Sequence, residues 1–153
     1  MESHSDKAHL PRMLADATLG RLCKWLRMAG IDTRWDAAAP DPERLKQLAG
    51  DDRRWVLTRC RRVFDALGSN RCLLVRSSAP ADQIRQVMQH FRIERSHLQP
   101  LSRCSRCNER MSETKKQTIV GRIPDYVLQS HDRFMSCCRC RRIYWSGSHA
   151  RRI

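Results

Sequence analysis

MLADATLGRLCKWLRMAGIDTRW, residues 13–35, is the stretch on which the fold turns. Met13–Asp16 is an apolar run closed by an acid, the signature of a short buried strand. Leu19, Leu22, Cys23, Leu26 and Ala29 then recur at three- and four-residue spacing, which is the buried stripe of an amphipathic helix. Gly30 supplies its stop, and Ile31–Trp35 reads as a second strand. Strand, helix and strand in such close succession form a crossover unit, which joins parallel strands.

The same alternation continues outward. Asp41-Pro42 opens a helix with Leu45 and Leu48 on its buried side and Gly50 at its end. Trp55–Arg59 is a third strand, and a short helix runs through Val63, Phe64 and Leu67 to Gly68. Cys72–Arg76 is a fourth strand, and the helix after Pro80 buries Ile84, Val87, Met88 and Phe91. Four such units predict an α/β domain over residues 12–97: a mostly parallel sheet with helices on both faces. Residues 1–11 read as a disordered lead-in. Around His97–Ser102 the chain turns Arg-, Cys- and Ser-rich, and residues 98–153 hold too few aliphatics to fold without a staple.

That staple is visible in the spacing. Cys104 and Cys107 form one C-x2-C knuckle, Cys137 and Cys140 another, with 29 residues between them. Two thiolates two residues apart grip one metal from a tight turn, and two such turns complete the tetrahedral sulfur shell that Zn2+ prefers. The expected site is closed and structural. Cys138 lies inside the second knuckle, but the two-residue spacing favours Cys137. Cys23, Cys60 and Cys72 fall in predicted strand or helix ends and read as small core residues.

The chain carries a net charge of +14. Residues 1–100 hold 18 basic against 12 acidic side chains, and residues 101–153 hold 12 against 4. A four-thiolate zinc site removes about two charges from the second surplus and leaves it strongly positive. Such a surplus, rich in Arg, points to a polyanion, and nucleic acid is favoured over a membrane surface. No apolar run approaches the roughly 18 residues of a membrane span. The polar stretch MESHSDKAHLPRM lacks the apolar core of a secretory signal, and eight cysteines without one predict reduced thiols in a cytoplasmic setting.

Candidate contacts follow. Arg21, Lys24 and Arg27 share the polar side of the first helix, where a phosphate-binding face competes with an ordinary solvated one. Arg139, Arg141 and Arg142 crowd the second knuckle. Tyr144 and Trp145 follow it, and packing against the ribbon is favoured over stacking on bases. Ligands of a parallel sheet collect beyond the carboxyl ends of its strands, where Asp16, Asp36 and Asp41 are expected. Clustered there, carboxylates would hold Mg2+ or Mn2+ to activate water against a phosphodiester. From spacing alone, Asp16 is equally a helix cap beside Thr18, and Asp41 before Pro42 is foremost a cap.

Taken in order, these residues resemble a known family. Ala15-Asp16, Leu19-Gly20-Arg21-Leu22, Trp25-Leu26-Arg27 and Gly30-Ile31-Asp32-Thr33 are similar to the opening of the PIN-like ribonuclease domain first described at the C-terminus of the nematode Mut-seven exonuclease. The resemblance continues through Leu57-Thr58-Arg59, Ser102-Arg103-Cys104, Cys107-Asn108, Gly121-Arg122, Pro124 and Tyr126-Val127. It closes on Cys137 to Cys140, Tyr144-Trp145 and Gly147-Ser148-His149. It implies a PIN-like three-layer α/β nuclease fold with an appended zinc ribbon, acting on RNA through metal-holding aspartates. In that family an Asp usually follows the Leu-Thr-Arg stretch, where this chain has Cys60, and a second acid often stands where it has Arg62. The acids that still match are Asp16, Asp32 and Asp41, with Asp65 a weaker substitute. A thiol is a poor ligand for Mg2+.

Three functions are therefore expected in descending order. The first is an RNA-binding protein of ribonuclease ancestry, whose metal-dependent cleavage hangs on Asp16, Asp32 and Asp41. The second is a non-catalytic module for RNA or ribonucleoprotein. The third is a zinc-ribbon adaptor for a protein partner.

Overall fold

In a computed structural model, which describes residues 10–147, the alternating pattern becomes a four-stranded sheet, all of it parallel. The strands are β1 (Met13–Ala15), β2 (Thr33–Trp35), β3 (Trp55–Thr58) and β4 (Cys72–Leu74), in spatial order β2-β1-β3-β4. They are joined by α1 (Gly20–Met28), α2 (Pro42–Asp52) and α3 (Arg61–Leu67), and followed by α4 (Pro80–His90).

The pleat sorts the core into two layers. Met13, Ala15, Leu57 and Leu73 pack with Leu22 and Leu26 of α1 and Val87 of α4. Leu14, Val56 and Cys72 face the other way, onto Leu45 and Ala49 of α2 and Val63 of α3. Helices on both faces make the expected three layers. Burying side chains such as Leu22, Leu26 and Leu45 stabilises each layer by about 1.5–3 kcal/mol apiece. Cys23 and Cys72 belong to these layers, and burial pushes their thiols up to about 11 and about 12, so both are inert packing residues.

The four strands are one or two residues shorter than expected, and one helix boundary moves. The helix does not stop at Gly50 but continues to Asp52 and ends on Arg53 in the left-handed conformation, φ 52°. The extension lets the Arg54 N–H close on the Ala49 carbonyl at 2.8 Å and aims the Arg54 side chain at Asp52 and Asp32. Tertiary ion pairing overrides the local stop. Gly30 does end its segment, with φ 91°, and a Cβ there would lie 2.4 Å from the Gln99 carbonyl oxygen. That close approach ties the segment leaving α4 to the end of α1, where Gln99 N–H bonds Ala29 O at 3.0 Å.

Beyond it, β5 (Met111–Thr114), β6 (Phe134–Cys137) and β7 (Ile143–Trp145) form an antiparallel sheet, with α5 (Asp125–Ser130) between β5 and β6. Its small core is Ile119, Val127 and Phe134, with Trp145 against it. Among the described residues no helix is long and apolar enough to cross a membrane. Most of the expected lead-in, the Ser148-His149 end of the resemblance and the last basic residues lie outside the described residues.

Candidate nucleic-acid interface and metal centre

The two knuckles are built alike. Cys104 N–H bonds Glu109 O at 2.9 Å, and Cys137 N–H bonds Arg142 O at 3.0 Å. Asn108 N–H returns to Cys104 O and Arg141 N–H to Cys137 O, at 2.9 and 2.8 Å. Asn108 and Arg141 both take the left-handed conformation that so tight a turn demands, φ 65° and 58°. The sulfur atoms of Cys104, Cys107, Cys137 and Cys140 lie within 4.8 Å of one another, with Cys104 and Cys140 3.6 Å apart. A tetrahedral zinc with Zn–S near 2.3 Å sets its sulfurs about 3.8 Å apart, so this donor set fits the ion. Cys107 N–H and the Tyr144 hydroxyl approach Cys104 Sγ at 3.3 and 3.0 Å. Burial raises the Cys104 thiol, but the Tyr144 hydroxyl and the N–H groups of Cys107 and Arg106 outweigh it and bring it down to about 7. Tyr144 and Trp145 thus serve the ribbon, as their packing role predicted. Cys138 is exposed and outside the cluster.

The aspartates part company. β1 and β3 are neighbours whose following helices lie on opposite faces, so the crevice of a doubly wound sheet opens at their carboxyl ends. Asp16 stands there, fully buried. One carboxylate oxygen accepts from the Thr18 N–H at 2.9 Å and from the Thr18 hydroxyl; the other accepts from the Thr58 hydroxyl. Thr58 Oγ1 in turn accepts the Cys60 N–H at 2.9 Å. Asp16 is therefore the expected cap, and it also laces β1 to β3.

Asp36, one place beyond the β1–β2 pairing, is held by a two-pronged pair from Arg44 at 2.8 and 3.0 Å. Those Arg44 hydrogen bonds, first among its causes, keep the Asp36 carboxyl below its usual range despite burial. Asp41 caps α2 through the Arg44 N–H at 2.8 Å.

Asp32 departs from the expected grouping. It precedes β2, whose register sets Thr33 beside Met13, so it lies at the amino edge, opposite Asp16. There it accepts from Arg54 at 2.6 Å and from Asn108 Nδ2 at 2.7 Å, with Arg103 3.6 Å away. Burial pushes its carboxyl up, but the Arg54 and Asn108 hydrogen bonds prevail and hold it below the usual range. Asp16, Asp32 and Asp41 do not converge. Among the described residues the four cysteines are the group of three or more side chains placed to hold a metal. The described acids form no such group of three or more.

The basic candidates divide as well. Arg21 and Lys24 are exposed on α1 and make no ion pair among the described residues. Arg27 points elsewhere: its guanidinium bonds the carbonyls of Thr33, Ser105 and Arg106 at 2.7, 3.2 and 2.9 Å. It clamps the first knuckle to the sheet through Nε and Nη1. Arg139 and Arg142 are exposed; Arg139 lies 3.7 Å from Glu109, while exposed Arg141 accepts from Arg122 through its carbonyl.

Arg54 escaped the sequence reading, and Thr58 and Asn108, which stand in the family-like motifs, were given no role there. Asn108 turns the knuckle, and its amide accepts the Thr33 N–H at 3.1 Å while donating to Asp32. The signal for it was available, since Asn tolerates the left-handed turn that follows a knuckle.

Comparison with known proteins agrees with this architecture. The human exonuclease mut-7 homolog is 32% identical over 101 residues, covering 63% of this chain and 12% of the human protein. The chain thus corresponds to a small part of that relative's length. No solved structure matches significantly. The family model of the Mut7-C RNase domain matches residues 11–153, and the chain belongs to that family.

Proposed function

We propose that this domain binds RNA at the carboxyl edge of its parallel sheet and that metal-dependent cleavage there has lapsed. The observation that carries the reading is the dispersal of its acids. Asp16 is enclosed by threonine hydroxyls, Asp36 is neutralised by Arg44, Asp41 caps a helix and Asp32 is at the other edge. Where the family resemblance calls for acids, Cys60 stands at the N-cap position of α3 without a side-chain capping bond, and Arg62 donates to the Pro40 carbonyl at 3.1 Å. A thiol and one cation stand where the resemblance calls for carboxylates, which favours holding a polyanion over cutting it. Zn2+ in the four-cysteine site would brace the ribbon, and reduced thiols suit a cytoplasmic setting.

The second reading, retained cleavage, is favoured by one fact: Asp16 occupies the crossover point where such sheets place their ligands. Incubating the zinc-loaded protein with single-stranded RNA and Mn2+ separates the two. The proposal predicts salt-sensitive binding without turnover, and cleavage gained in C60D would mark a lapsed site. Cleavage by the wild type that disappears in D16N would overturn it in favour of the second reading.

A further inference from the structure

Trp35 is the one tryptophan of the described residues that stands exposed, with 47% of its surface open. It closes β2, the edge strand, at the carboxyl side of the sheet and next in chain to Asp36. The exposure is not looseness. The indole Nε1–H donates to the Asp16 carbonyl at 3.1 Å. Beneath the ring lies Gly20, the first residue of α1; a Cβ there would sit 3.3 Å from Cζ2. The indole therefore rests directly on helix backbone, and a larger residue at position 20 would lift it. Ala37, Ala38 and Ala39 follow, all exposed and too small to cover the outer face.

Two exposed cations follow Gly20 along α1. Arg21 adjoins Gly20, and Lys24 lies one turn further along the same stripe of α1. Both are exposed. A rigid, half-open indole with unpaired cations beside it matches the way single-stranded nucleic acids are held, bases on aromatic faces and phosphates on cations. A buried core has no use for such a ring, and a duplex offers no free base face to it.

We propose that Trp35 is a stacking platform for one unpaired base of a single-stranded RNA, with Arg21 and Lys24 on the adjoining phosphates. The inference rests on the RNA-binding reading above and names the part of the carboxyl edge that meets a base. The test is a titration of the zinc-loaded protein with two oligonucleotides of equal length and charge, one bearing bases and one abasic. The wild type should prefer the base-bearing strand by about tenfold, the scale of one base–aromatic stack. W35L should lose that preference while its affinity for the abasic strand and its salt slope stay unchanged. W35F, which keeps a ring over Gly20, should retain part of it, and matched thermal melts confirm that both variants fold. Equal affinity of W35L and wild type for the base-bearing strand would overturn the stacking and leave RNA binding in place. No affinity of the wild type for either strand would overturn both.

Discussion

The two edges of the parallel sheet are both rich in charge, yet they are put to opposite use. At the amino edge, Asp32 gathers Arg54, Arg103 and Asn108, and Arg54 also holds Asp52 at 3.0 Å. Every one of these groups is answered by a partner, and the set spans β2, β3 and the first knuckle. At the carboxyl edge Asp16 is held by two threonines and Asp36 is neutralised by Arg44, while Arg21, Arg59 and Arg76 face solvent. Saturated charge holds pieces of a protein together; unsaturated charge of one sign recruits a partner from outside. In this chain the amino edge locks its aspartate into an ion-paired joint, and the carboxyl edge keeps Asp16 and Asp36 beside solvent-facing cations.

That contrast can be broken by experiment, beginning with the joint between the sheet and the ribbon. Stripping the metal with a chelator, or substituting Cys137→Ser, should unfold the ribbon, since sulfur-bound zinc contributes on the order of 10 kcal/mol to such modules. Loss of the ribbon's tertiary signal, together with release of one equivalent of zinc, is the expected result. An unchanged melting curve would show that the ribbon stands without its staple.

Asp32→Asn should come next, with a loss of about 3 kcal/mol at neutral pH, because Arg54 would be left buried against a neutral amide. The Asp32 carboxyl is depressed in the folded protein. Its stabilisation is therefore present above the unfolded value of about 3.9 and disappears as pH falls through the folded one. Urea denaturation of variant and wild type should show a gap that is wide at neutral pH and narrows as the solution is acidified, with RNA affinity at neutral pH unmoved.

A smaller cost is expected from Thr58→Val, which removes one hydroxyl partner from the buried Asp16 carboxylate: about 2 kcal/mol, recovered in large part by Thr58→Ser. If valine were neutral, the lacing of β1 to β3 through Asp16 would be incidental. The least effect on stability belongs to the exposed cations. Arg21→Ala and Arg59→Ala should leave the melting midpoint within about 0.5 kcal/mol of wild type. Each should flatten the dependence of log affinity on log salt by roughly 0.7, one phosphate's share for a single strand.

How much of this was legible beforehand follows the same division. The parallel sheet could be read from residues 13–76 because the central strands β1 and β3 bury both faces and each helix carries a stripe, as Leu14 and Val56 on one face and Met13 and Leu57 on the other illustrate. The cysteine cluster was legible because knuckle spacing constrains the turn. The ribbon's strands were not, since β5 presents the exposed Ser112 and Glu113 and has no alternating apolar face. Asp32 misled for a geometric reason. Its motif follows Gly30 at the start of β2, and a strand's beginning lies a strand's length from its end. Trp35 was visible only as a strand residue, because nothing in the sequence tells that Gly20 and three alanines leave its outer face open.

The division of labour between the edges is tested most directly by mapping the amide and indole NMR shifts of the zinc-loaded protein during titration with single-stranded RNA. The account predicts that the perturbed signals gather at the carboxyl side, on the Trp35 indole, Gly20, Arg21 and Arg59–Arg62, with the Asp32, Arg54 and Asn108 signals still. Shifts centred on that amino-edge cluster, with the Trp35 indole unmoved, would contradict it.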